Sequence, residues 1–247
     1  MSRAARELGV SSTGPGRSAY HRRVHPGAPP VNLLCFGDSL VYGEVDEIGG
    51  GWVARLKGEC LRRVALGRPP EVLVHNLGLS GETTRGLRQR FEVELAPRLG
   101  DVGNDIVLLA YGMNDAVRRQ GELLVPLDEY RANLAHCIVA ARGRGLRVAL
   151  VNVPPIAPEQ EGRPNAHGSV RSAETIARYN ATLAALAADT LAHLVDVHGP
   201  LLSSPPGWLR PDGVHPNHEG HRRLFELVLP EFDRWLGLRR AGTRGQV

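Results

Sequence analysis

Three residue types in this 247-residue chain are the parts of an activated hydroxyl nucleophile: a serine, a histidine and an aspartate. Ser39 ends the stretch Val31–Ser39 (VNLLCFGDS), after an apolar run formed by Val31, Leu33, Leu34 and Phe36. That run is too short for a free helix and apolar enough for a buried strand. Gly37 gives the chain freedom to turn, so Asp38 and Ser39 fall at the strand's carboxyl end, the edge on which open α/β sheets build their sites. Much later, Pro211–Pro216 (PDGVHP) offers Asp212 and His215 three positions apart on one short loop.

Two further segments follow expected strand ends and carry groups that acyl transfer needs. In Asn76–Gly81 (NLGLSG), Gly78 could turn a bare backbone N–H toward a ligand, because no side chain blocks approach. In Tyr111–Asp115 (YGMND), Asn114 could aim its amide NH₂ at the same place.

Such groups need a rigid frame. From Val31 onward, short apolar runs alternate with longer amphipathic stretches. They predict strands over 31–36, 71–76, 105–111, 146–152 and 193–197, and helices over 52–64, 84–95, 127–141, 173–188 and 217–235. Asp128 and Glu129 near the start of the third helix and Arg142 near its end suit the helix macrodipole. Strands separated by helices define an α/β protein, expected as a three-layer α/β/α sandwich around a five-stranded parallel sheet. The polar, proline-containing segment 154–169 reads as a long loop, and a loop of that length in a compact domain is more often functional than idle.

The blocks GDS, NLGLSG, YGMND and PDGVHPN, in this order and spacing, resemble the motif blocks of the SGNH (GDSL-type) hydrolase superfamily. The serine, glycine, asparagine and histidine of that name match Ser39, Gly78, Asn114 and His215, with Asp212 preceding the histidine as in the family pattern. GDS alone is a weak signal; four blocks in order are a specific one, and the resemblance covers nearly all of 31–236. The stretch GDSLVYGEVDEIGGGW is also similar to small bacterial lysophospholipase L1-like esterases. The resemblance implies a flavodoxin-like sandwich and esterase, lipase or thioesterase chemistry on a small-molecule ester, without metal or organic cofactor. It also implies roles. Ser39 attacks the carbonyl, His215 moves the proton, and Asp212 orients the histidine. The N–H groups of Ser39 and Gly78 and the Asn114 side chain meet the oxyanion. The same residues would serve an acyltransferase. A non-catalytic binding domain on this fold is a third reading, against which the intact Ser39, Asp212 and His215 set argues.

Bulk properties narrow the setting. The chain carries 42% hydrophobic and 23% charged residues, as an ordinary globular domain does. No apolar run is long enough for a transmembrane helix. The pI near 9.3 belongs to the ends. Residues 1–30 carry a net +4 and 237–247 a net +3, which leaves −3 for 31–236. The ends read as disordered basic tails flanking one hydrolase domain over 31–236, and a mildly acidic domain offers nucleic acid no footprint. Cys35, Cys60 and Cys137 show neither disulfide nor zinc spacing, and the first 30 residues lack the apolar core of a secretory signal. A cytoplasmic protein is expected.

Simpler roles compete for several of these residues. Asp38 is better placed than Ser39 to cap a following helix. Asn114 and Asp115 could be turn residues, Gly78 a turn glycine and Asp212 a loop cap. His215, His218 and His221 recur every three residues but miss the His-Glu-x-x-His pattern, so His218 and His221 are expected on a helix surface and no metal is expected. His75 reads as a packed histidine. The acidic cluster Glu44, Asp46 and Glu47 reads as a solvated loop face; if it overhung the cleft it would repel anionic substrates.

Overall fold

Alternate side chains of the central strands enter two separate cores. In β1 (Val31–Gly37), Leu34 and Phe36 join one core, and Val31, Leu33 and Cys35 the other. β3 (Ile106–Ala110) and β6 (Arg147–Val151) divide in the same way. A sheet with apolar side chains on both faces must be covered on both faces, and a parallel sheet fits that demand. The computed structural model describes residues 29–100 and 104–238. The expected basic tails lie outside the described residues, apart from 29–30 and 237–238.

The sheet runs β2–β1–β3–β6–β7, all parallel, with β2 at Val72–Gly78 and β7 at His193–Val195. Helices α3 (Thr84–Leu95), α4 (Leu127–Arg142) and α5 (Ala173–Thr190) cover one face through Phe91, Tyr130, Leu134, Ile176 and Tyr179. Helices α2 (Gly51–Ala65) and α7 (His218–Trp235) cover the other through Trp52, Leu56, Leu224, Val228 and Phe232. The architecture is the expected three-layer α/β/α sandwich with a five-stranded parallel sheet. Each anticipated strand and helix is present, with ends shifted by at most two residues.

Shorter elements escaped the sequence reading. They are α1 (Ser39–Tyr42), α6 (His198–Leu202), and a two-stranded hairpin of β4 (Arg118–Arg119) and β5 (Glu122–Leu123). Gln120 and Gly121 turn that hairpin with φ of +53° and +87°, the left-handed backbone a tight two-residue turn requires. None of the described helices is long and apolar enough to cross a membrane.

The chain leaves β1 toward β2 on one side and then crosses to β3 on the other. The strand order therefore reverses between β1 and β3, and a crevice opens outside their carboxyl ends. The ends of β1 and β3 lead into Ser39 and Asn114 respectively.

Candidate active site

Asp38 caps α1, accepting the Leu40 N–H at 3.0 Å through Oδ1. The cap leaves Ser39 as the first helical residue, with a backbone N–H that has no intrahelical acceptor. Gly37 shows no left-handed backbone. What it supplies is space, since a Cβ there would lie 2.1 Å from Val41 Cγ2 and 2.8 Å from the Ala110 carbonyl oxygen. Ser39 is only 6% exposed.

Ser39 Oγ lies 3.0 Å from His215 Nε2, and His215 Nδ1 lies 2.8 Å from Asp212 Oδ2. A carboxylate can only accept, so Nδ1 donates to Asp212; Nε2 is then the acceptor for the Ser39 hydroxyl. Asp212 also accepts the N–H groups of Val214 and His215, both at 2.9 Å, through Oδ1. Burial pushes its carboxyl up, but these N–H bonds and the imidazole outweigh that and hold it below its ordinary value. The side chains of His215 and Asp212 are 26% and 48% exposed, so the site opens to solvent on their side. Segment 154–169 packs against this loop, with the Ala157 N–H donating to the Gly213 carbonyl at 2.8 Å.

Asn114 Nδ2 donates to the Glu82 carbonyl at 3.1 Å and makes a longer contact, 3.4 Å, with Asp38 Oδ2. Glu82 is held in turn by Arg90 and by the Tyr111 hydroxyl, each 2.6 Å from its Oε2. Gly78 ends β2 where a Cβ would fall 2.2 Å from the Tyr42 backbone nitrogen, so only glycine lets α1 approach. Its N–H donates to Asn76 Oδ1 at 3.0 Å, while Asn76 Nδ2 reaches the Val41 carbonyl at 2.9 Å. Asn76 thus staples α1 to β2, a role its motif block did not reveal.

Ser39, His215, Asp212 and Asn114 are therefore gathered at one sheet edge, with Gly78 beside α1. Arg171, absent from the sequence reading, joins them through Asn114 Oδ1 at 3.3 Å and the Met113 carbonyl at 3.2 Å. Two other expectations are corrected. His221 is fully buried, its Nε2 3.4 Å from the Glu44 carbonyl. The spacing of 221, 224, 228 and 232 on the apolar face of α7 was the signal for it. Asp46 is no solvated loop residue either: it is buried, paired with Arg55, and accepts the N–H groups of Gly49 and Gly51. His75 is packed as expected, with Nε2 3.1 Å from Asn32 Oδ1.

A buried serine at a strand end, linked through a histidine to an aspartate, is an arrangement that acyl transfer can use, and comparison with known proteins places this α/β protein among the ester hydrolases. The chain belongs to the GDSL-like lipase/acylhydrolase family, whose model matches residues 35–223. It is 27% identical over 212 residues to a GDSL esterase/lipase of Arabidopsis thaliana, covering 79% of this chain and 83% of that protein. Among solved structures, Axe2, an acetylxylan esterase from Geobacillus stearothermophilus, superposes with a TM-score of 0.64 at 26% identity. The match spans 87% of this chain and 97% of that one. TesA matches with a TM-score of 0.61 at 25% identity, over 83% and 99% of the two chains.

Proposed function

We propose that the chain is a serine esterase for small, short-chain carboxylic esters, working through an acyl-enzyme on Ser39. The observation that carries this reading is the unbroken hydrogen-bond chain from Ser39 Oγ through His215 to Asp212. His215 takes the hydroxyl proton as Oγ bonds to the ester carbonyl carbon, then gives it to the departing alcohol. Asp212 fixes the tautomer and stabilises the imidazolium. A water, activated by the same imidazole, then releases the acid and restores Ser39.

The oxyanion is met by the Ser39 N–H, the Asn114 amide and the Gly78 N–H. Of these donors Gly78 is already engaged, so its N–H must be shared with Asn76 or released to serve. A short acyl group is favoured by the likeness to Axe2, an acetylxylan esterase. Asp46 is buried and paired with Arg55, so of the acidic cluster Glu44 and Glu47 are left to act on anionic substrates. The family match and the single main sheet support 31–236 as one hydrolase domain, and the three free thiols support a reducing, cytoplasmic setting.

The test is hydrolysis of p-nitrophenyl esters from acetyl to palmitoyl by wild type and Ser39→Ala. Turnover should peak at acetyl and fall at least about 10³-fold in the variant, with circular dichroism unchanged. Undiminished turnover in Ser39→Ala would overturn the reading. Product analysis with added alcohols separates hydrolysis from acyl transfer.

A further inference from the structure

An amide side chain serves as an oxyanion donor only if its NH₂, and not its oxygen, faces the reacting carbonyl. For Asn114 the partner of the oxygen decides this. Arg171 Nη2 lies 3.3 Å from Asn114 Oδ1, and Arg171 Nε lies 3.2 Å from the carbonyl of the preceding Met113. Guanidinium is donor-only, so its contact fixes the amide oxygen on the Arg171 side and leaves the NH₂ toward Glu82 and Asp38, the residue next to Ser39. One amide hydrogen is spent on the Glu82 carbonyl at 3.1 Å. The other makes only the 3.4 Å contact with Asp38, so it is free to turn to a stronger acceptor next door.

The chain fixes Arg171 from both sides. The Gly162 N–H donates to the Arg171 carbonyl at 3.0 Å, and Val170 exchanges two 2.9 Å backbone bonds with Arg118 of the β4–β5 hairpin. Ser172, the next residue, caps α5. Burial lowers the Arg171 pKa, with Asp38 and Asp212 acting in the opposite sense, yet it forms no ion pair with any described residue.

We propose that Arg171 is a positioning residue for the ester chemistry, acting through Asn114 by locking the amide with its NH₂ toward Ser39. This inference rests on the proposed esterase reading. Arg171→Met should lower kcat about 10- to 100-fold with KM changed less than about 3-fold, because only a transition-state contact is lost. In an Asn114→Ala background the same substitution should cost less than 2-fold. Arg171→Lys keeps the charge but loses the two-pronged donor, so it should stay close to Arg171→Met. Should Arg171→Met fail to fold, Arg171→Lys in both backgrounds decides by the same criterion. Wild-type kcat in these variants, a loss confined to KM, or an equal loss with and without Asn114 overturns the proposal. Those results would leave Ser39-dependent turnover intact, whereas failure of the esterase reading shows as wild-type turnover indifferent to Ser39→Ala.

Discussion

Beside Ser39, Asp38 combines two demands that pull on its carboxyl in opposite directions. It caps α1 through the Leu40 N–H, which favours the charged form, and it is buried to 1% exposure, which disfavours it. Burial wins and pushes the carboxyl up to about 7; Asp115, also buried and pushed up to about 6, adds to it. A carboxyl whose folded pKa lies above its unfolded value of about 3.9 stabilises the fold at pH below that value. The contribution is lost as pH rises to about 7. For Asp38 the loss is at most roughly 4 kcal/mol, from about three pKa units. Wild-type stability, from urea unfolding at successive pH values between 4 and 7.5, should therefore carry a downward component. Asp38→Asn keeps an acceptor for the cap but cannot titrate, so its profile should be flatter; identical profiles would refute this account. At this scale much was legible. The residue types and spacing singled out Ser39, Asp212, His215 and Asn114, and capping chemistry singled out Asp38. Arg171 was not legible, because nothing local marks it: its place depends on how segment 154–169 and the hairpin fold back together.

Elements with strong periodicity were read nearly to the residue, as in α3 and in the period-2 division of β1. Elements of two to five residues, such as α1 and β4, carry too few turns or alternations to show a period. The loop between α1 and α2 shows what such reading omits. Asp46 looked solvated because acids in glycine-containing loops usually are. Instead its carboxylate gathers the N–H groups of Gly49 and Gly51 and the Arg55 guanidinium, whose Nη2 donates in turn to His218 Nδ1 at 2.9 Å. These contacts tie the start of α2 to the start of α7, three residues beyond His215. Removing one partner of a buried pair strands the other. Asp46→Asn should accordingly cost about 3 kcal/mol in urea unfolding, far above the value of a surface pair. An unchanged midpoint would mean that the glycine N–H groups alone organise the loop.

Across the whole molecule, the sheet serves both helical layers at once, since β1, β3 and β6 each send side chains into both cores. Neither layer can separate without exposing strands that the other still needs. The three buried cysteines are distributed over this division: Cys35 and Cys60 lie in the core under α2 and α7, and Cys137 in the core under α4 and α5. Burial pushes their thiols up, Cys60 to about 11 and Cys137 to about 12, so all three are inert while folded. The molecule thereby carries an internal chemical label on each side of its sheet. Pulsed alkylation in low denaturant, read by peptide mass spectrometry, should modify Cys60 and Cys137 at the same rate if the shared strands enforce cooperative opening. Faster modification at Cys60 would show that the layer holding α7, which leads directly from His215, can open on its own. The wild-type sequence can thus report, without any engineered probe, which side of the molecule yields first.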